Sequence, residues 1–157
     1  MTEAIQKQFE LNRITRERAL EAIEGLELEQ LTRIPEGFNN SLLWNFGHII
    51  VTQQLLSFGL CKQELPIEKE LIERYRKGSA PDPNHPNAEA DLNYFKANAL
   101  KWIDLAREYY EEDRFEPFHS YRTSYGVPLL SLEDAIAFNN IHEGLHLGYM
   151  MAMKRAR

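Results

Sequence analysis

The feature of this sequence that most constrains its fold is an apolar stretch built around one histidine, His48. Residues 42–58 read LLWNFGHIIVTQQLLSF. A helix with this sequence is apolar on almost all sides, so other parts of the chain must cover most of its surface. It is too short to cross a membrane, and it is interrupted by polar residues that include Asn45, His48, Gln53 and Gln54. We predict a buried helix that begins near Ser41, a suitable N-cap, and ends at Gly59.

Three further long segments have helical periodicity and are separated by glycine and proline. They predict a first helix over residues 2–23, a third over 88–111 and a fourth over 131–155, and a shorter helix is expected over 68–76. Gly25 is expected to end the first helix. The inner face of that helix is mixed and consists of Ile5, Phe9, Asn12, Arg16, Ala19, Ala22 and Ile23.

Residues 114–130 differ from the helical segments, because they are rich in aromatic side chains and are broken by Pro117, Gly126 and Pro128. They predict an ordered loop with a short hairpin around Tyr125 and Gly126. Four long helices with loop-rich connections indicate an all-α fold, a four-helix bundle with long loops between its helices. The length of 157 residues suits one domain spanning residues 1–157.

Composition and charge limit the classes of protein and of binding partner that fit this sequence. The chain is 43% hydrophobic and 27% charged, as in ordinary globular proteins, and its formal net charge is −6. Because the sequence offers no basic face, we expect no nucleic-acid partner. The basic cluster Lys154, Arg155 and Arg157 suits the C-terminal end of a helix dipole. With no apolar signal segment, no membrane span and one cysteine, Cys61, we expect a cytoplasmic protein without a disulfide.

The histidines are the candidate metal ligands. His142 and His146 lie one helical turn apart, on a face that also carries Phe138, Leu145, Tyr149 and Met153, so this face is expected to point inward. Such a pair can hold one metal ion, although two core histidines bonded to Tyr or Asn would also explain it. His48 on the apolar helix would supply a third ligand, since bundles build metal sites from facing helices. Three protein ligands with open positions are typical of a catalytic metal.

The other two histidines are weaker candidates. His85 lies between prolines and is expected to be solvated. His119 lies in the aromatic loop, where a functional role is an alternative because loops on a scaffold often carry function.

Residues 142–146, HEGLH, match the H-E-x-x-H spelling of zinc proteases. Those enzymes need a third metal ligand downstream of the second histidine. In one class it is a histidine, but Ala152 stands at that position here. In another class it is a glutamate, but no acidic residue follows His146. We therefore reject a protease. Glu143 projects about 100° away from His142 around the helix. We therefore interpret it as a neighbour of the ligands rather than as a general base.

Two segments carry a resemblance to a known family. NNSLLWNFGHIIVTQQLL at 39–56 and NNIHEGLHLGYMMAMKR at 139–155 resemble the DinB/YfiT-like superfamily of metalloenzymes. The resemblance covers nearly the whole chain and implies a four-helix bundle with up-down-down-up order. It also implies a divalent metal ion, nickel or zinc, bound by three histidines that correspond here to His48, His142 and His146.

The resemblance also implies alternative activities. Relatives include thiol-dependent S-transferases and a maleylpyruvate isomerase, in which the metal lowers the pKa of a low-molecular-weight thiol. Other relatives are metal-dependent hydrolases that use bound water. We expect a metalloenzyme with a small-molecule substrate, and among its possible activities we rank a thiol-dependent transferase first. A hydrolase and a non-catalytic metal-binding stress-response protein remain the alternatives.

Further candidates concern the substrate entrance and the assembly. The aromatic loop, with His119, Tyr121, Arg122 and Tyr125, precedes the helix that carries two ligands, so it is a candidate substrate mouth. The candidate catalytic residues are Tyr121, Arg122, Tyr125 and Glu143. The alternative is that the loop only packs its aromatic rings on the end of the bundle. The apolar second helix, and Ile141, Met150 and Met151 on the fourth, predict a homodimer with parts of these helices near the interface.

Overall fold

The structure is a computed structural model that describes residues 1–156. It is predominantly helical, in agreement with the predicted all-α class. Its elements are α1 (Glu3–Ile23), α2 (Leu28–Thr32), α3 (Leu42–Gln54), a π-helical turn (Leu55–Gly59), α4 (Lys69–Tyr75), α5 (Ala88–Asn98), α6 (Lys101–Glu111), β1 (Tyr121–Arg122), β2 (Pro128–Leu129) and α7 (Leu132–Arg155). Within the described residues, no helix combines the length and the apolar character needed to cross a membrane.

The apolar helix α3 lies at the centre of the molecule. Every residue of α3 except Thr52 is buried, and α2, α4, α5 and α7 all pack against it. The helix begins where predicted, because the Ser41 side chain accepts a hydrogen bond from the Trp44 amide at 3.1 Å. At Gly47 a Cβ atom would lie 2.5 Å from the Tyr75 ring, so only glycine permits this close approach of α4.

Helices α1 and α7 pack along each other, and the predicted inner face of α1 is confirmed. The seven predicted residues are the buried residues of this helix. Gly25 follows the helix with φ of +70°, a backbone conformation that favours glycine. The short helix α2 was not predicted, since only five residues form it.

The predicted third helix is wrong in one respect, because it is divided at Ala99 and Leu100 into α5 and α6. In an uninterrupted helix the Ala99 carbonyl would accept a hydrogen bond from the Ile103 amide. Here the Ile103 amide donates to the Leu100 carbonyl, and the Ala99 carbonyl accepts from Arg16 Nη1 at 3.0 Å. The buried guanidinium of α1 therefore satisfies the carbonyl at the break.

The aromatic loop contains the predicted hairpin. Tyr121 pairs with Leu129 and Arg122 with Pro128 in an antiparallel ladder, and Gly126 at the turn has φ of +79°. The hairpin leads directly into α7, whose N-cap Ser131 accepts a hydrogen bond from the Asp134 amide at 3.2 Å. The hairpin is thus held at the start of the helix that carries His142 and His146.

Candidate metal centre

The structure brings His48, His142 and His146 together. His48 comes from α3 and the other two come from α7, and each offers a ring nitrogen that lies within 4.8 Å of the others. The Nε2 atoms of His48 and His142 are 3.2 Å apart. His85 and His119 lie outside this cluster. The three histidines singled out in the sequence therefore form one group.

Two of the rings are oriented by hydrogen bonds on their far side. His48 Nδ1 donates to the Tyr75 carbonyl at 2.7 Å. His146 Nδ1 donates to Asn45 Oδ1 at 2.7 Å, and this oxygen is the acceptor because the Asn45 amide nitrogen donates to the Ser41 carbonyl. With their protons on Nδ1, both neutral rings keep an Nε2 lone pair for the centre of the cluster.

Asparagine was one alternative partner expected for His142 or His146, and His146 has such a partner in Asn45, but neither Asn45 nor the Tyr75 carbonyl was identified from the sequence. The role of Asn45 could have been recognised, because it is a polar residue three positions before His48 on the same buried helix. A polar side chain on such a helix needs a partner in the interior. The role of the Tyr75 carbonyl could not have been recognised, since every residue has a backbone carbonyl whatever its type.

The arrangement fits a bound cation. His142 Nε2 faces the His48 lone pair, and His142 Nδ1 is buried without a hydrogen-bond partner among the described residues. Buried polar atoms that lack partners destabilise a fold by about 1–3 kcal/mol each. Three imidazole groups gathered at one place suit a divalent transition metal such as zinc or nickel, which would accept their ring-nitrogen lone pairs.

The electrostatic environment keeps these rings neutral, as metal ligands must be. Burial, followed by the neighbouring His146, His48 and Arg16, lowers the pKa of His142 to about 3. Burial and then His48 lower the pKa of His146 to about 4. Burial also lowers the pKa of His48, while its bond to the Tyr75 carbonyl raises it and Lys77 lowers it. All three side chains are therefore uncharged at neutral pH.

Aromatic rings pack against the histidines of the cluster. Trp44 stacks on His48 with ring centroids 4.6 Å apart and an interplanar angle of 10°. The Trp44 indole donates to Ser79 Oγ at 3.0 Å, which fixes the stacking ring. Phe138 lies beside His142 with centroids 6.4 Å apart. These contacts limit rotation of the imidazoles.

An open cleft of about 390 Å³ lies beside the histidines. It is lined by His48, Thr52, Leu55, Leu56, Gly59, Leu60, Lys77, Tyr121, Ser124, Phe138 and His142. A space of this size is within the range of small-molecule sites. The cluster therefore has access to a ligand from solvent.

The aromatic loop contributes to this cleft in part. Tyr121 and Ser124 line it, and Tyr125 contacts the edge of Phe138 with ring centroids 5.7 Å apart. Arg122 is not among the lining residues, because its guanidinium donates to the Gly126 carbonyl within the hairpin. His119 also lies outside the lining, and its amide donates to the Leu60 carbonyl. Of the four loop candidates, Tyr121 is the one placed at the cleft.

The predicted inner face of α7 needs a correction. Leu145 and Tyr149 were expected to point inward, but they are 56% and 43% exposed. Ala135, Asn139 and Met153 of the predicted face are buried, but the buried face also includes Glu143 and Met150, and the histidines lie at its edge. Hydrophobic periodicity placed the face wrongly because a charged residue, Glu143, is at its centre.

Glu143 is completely buried and faces away from the histidines. Its Oε2 accepts from Arg16 Nε at 3.0 Å and its Oε1 accepts from Arg16 Nη2 at 2.5 Å. Asn12 and Asn139 also donate to Oε1, at 2.8 and 2.7 Å. With both oxygens engaged in this way, Glu143 has the geometry of a structural ion pair.

Comparison with known proteins adds the family. A search of curated proteins finds no match. Residues 11–150, which are most of the chain, match the family described as the DinB superfamily. This match includes all three histidines of the cluster, the whole of α3 and most of α7. The chain therefore belongs to the DinB superfamily.

Proposed function

We propose that this protein is a metalloenzyme in which His48, His142 and His146 hold a divalent ion, nickel or zinc. The observation that carries the proposal is the convergence of three ring nitrogens within 4.8 Å, two of them from His48 and His142, which line an open cleft. Three protein ligands leave coordination positions for a substrate, whereas structural zinc sites are closed by four. The open cleft favours an enzyme over the alternative of a non-catalytic metal-binding protein.

Among the enzymatic alternatives, we place a thiol-dependent transferase first. A divalent ion at this site would supply a Lewis acid that lowers the pKa of a low-molecular-weight thiol. The side chains of Leu55, Leu60 and Phe138 would shield the reacting groups from water, and Tyr121, which lines the cleft, would orient a substrate.

The acid–base groups around the histidines favour a transferase over a hydrolase. Hydrolysis by a metal-bound water commonly needs a carboxylate as general base. Among residues 1–156, no acidic side chain lines the cleft, and Glu143, next to His142 in sequence, is bound by Arg16. A thiolate needs no such base once its proton is lost. A metal-dependent hydrolase remains the second candidate.

The test begins with protein purified without a histidine tag. Metal content is measured by mass spectrometry, and the protein is then assayed with cysteine, glutathione, bacillithiol and mycothiol against an electrophile such as monochlorobimane. Alanine variants of His48, His142 and His146 should each lose about 10-fold or more in metal affinity. The matched control is His85→Ala, which should bind metal like the wild type. A triple-alanine protein that holds metal as well as wild type would refute the site.

The proposal also covers the domain organisation, the assembly and the location of the protein. We propose that residues 1–157 form one domain and that the four long helical segments form an up-down-down-up bundle, supported by the packing of α7 on both α1 and α3. We also propose a cytoplasmic homodimer that acts on a small molecule and uses neither nucleic acid nor membrane as a partner.

A further inference from the structure

The cleft beside the histidines has a polar end and an apolar end. His48, Thr52 and Leu60 follow one another along α3 and the π-helical turn. At about 1.5 Å per residue, roughly 10 Å of helix separates His48 from Leu55, where the π-helical turn begins. Lys77 belongs to the histidine end, since it follows two residues after Tyr75, whose carbonyl accepts from His48. Leu55, Leu56 and Leu60 give the rest of the cleft an apolar wall, which Phe138 continues to His142 and to which the hairpin adds Tyr121 and Ser124.

The charge of the polar end is entirely positive. Lys77 is the one charged side chain among the described residues that line the cleft. The ion pairs within residues 1–156 do not include it. The three histidines are neutral ligands, so they leave the charge of a divalent ion uncompensated. A ligand that brings negative charge would therefore be favoured at this end.

We propose that the substrate is an organic anion with an apolar body, and that Lys77 is the residue that selects its anionic head group. This inference rests on the proposed function, because it concerns the substrate of the same cleft. The ammonium group of Lys77 donates to the head group at the histidine end. The apolar body lies against Leu55, Leu56 and Leu60. A cationic substrate would meet repulsion, and a fully polar one would leave the apolar wall without a partner.

The test uses two probes of nearly equal shape and different charge, 4-phenylbutanoate and 4-phenylbutanamide. Their binding to zinc-loaded and metal-free protein is measured by isothermal titration calorimetry. The wild-type protein should prefer the carboxylate. Lys77→Gln should lower carboxylate affinity about fivefold, as expected for the loss of a partly solvated charge-assisted hydrogen bond, and leave amide affinity unchanged. The matched control is Lys96→Gln, which removes an exposed lysine outside the cleft.

The outcomes separate this inference from the proposed function. If Lys77→Gln binds the carboxylate as tightly as wild type, or if wild type binds both probes equally, the role of Lys77 is overturned even where metal is bound. If the wild-type protein holds no metal, the proposed function fails. A carboxylate preference of metal-free protein that depends on Lys77 would then still support the anion site.

Discussion

Arg16 of α1 and Glu143 of α7 form an ion pair with no solvent exposure on either side chain. The guanidinium also donates to Gln53 of α3 at 3.0 Å and to the Ala99 carbonyl at 3.0 Å. One arginine thus joins α1, α3, α7 and the junction between α5 and α6. Because Glu143 directly follows His142, the same contacts fix the rotation of α7 that directs His142 and His146 toward α3.

The first prediction concerns the stability that depends on this pair. Glu143→Ala leaves the Arg16 charge buried without its partner, which should lower the free energy of unfolding by about 3–5 kcal/mol. Urea denaturation followed by circular dichroism measures the change. The control is Glu21→Ala, which breaks the exposed pair with Arg18 and should leave the midpoint nearly unchanged. Equal midpoints for the two variants would show that the buried pair contributes no more than the exposed one.

Much of the fold follows from local sequence signals. Ser41 and Ser131 mark helix starts through their side-chain caps, Gly25 marks a helix end, and the apolar stretch around His48 places that histidine in the interior. Such signals act over a few residues, so they can be identified in the sequence alone.

The features that could not be predicted depend on distant partners. The break at Ala99 depends on Arg16, 83 positions away in sequence, and the burial of Glu143 depends on the same arginine, 127 positions away. The group that orients His48 is a backbone carbonyl, that of Tyr75. Every residue has a carbonyl, so no residue type in the sequence identifies this partner.

The second prediction concerns the hydrogen bond that orients His146. Asn45→Ala removes the acceptor for His146 Nδ1, and the resulting freedom of the ring should weaken metal binding about tenfold. Asn45→Asp retains an acceptor oxygen and should recover most of the affinity. Competition with a chromophoric chelator gives the dissociation constants, and Asn84→Ala in an exposed loop is the control. Unchanged affinity in Asn45→Ala would mean that this bond does not position the ligand.

The third prediction concerns Cys61, which is 1% exposed. Burial, and then the charge of Glu116, raise its pKa to about 11 from an ordinary value of 9.0. The folded protein therefore keeps this proton as pH rises, so its contribution to stability is present below about pH 9 and lost between about 9 and 11. At pH 8 the native thiol should react with Ellman's reagent far more slowly than in denaturant. Equal rates in the two conditions would contradict the burial of this thiol.

The state of Cys61 also bears on the proposed activity. A buried, protonated thiol is a poor nucleophile, so a thiol-dependent reaction would need a thiol from solution. Cys61→Ala should then retain transfer from the active low-molecular-weight thiol. Loss of transfer in a variant that still folds and binds metal would assign the nucleophile to the protein itself.

The last prediction concerns the assembly. Helix α3 is covered within one chain, so its apolar surface does not require a partner. Helix α7 does carry exposed apolar side chains, and Ile141, Leu145 and Tyr149 follow one another at intervals of four residues along one stripe. Met150, expected to contribute, is fully buried. We expect a homodimer through the α7 stripe, because an exposed apolar stripe of this kind is most simply covered by a second copy.

Light scattering at micromolar concentration should give twice the chain mass of 18.4 kDa. Ile141→Glu places a charge in the stripe at a residue that is 57% exposed, so it should dissociate the dimer without unfolding the chain. Val127→Glu makes the same change on the hairpin at 56% exposure and should leave the dimer intact. A wild-type mass near 18.4 kDa would show that the stripe is exposed in a monomer. A dimer that survives Ile141→Glu would place the interface on another surface.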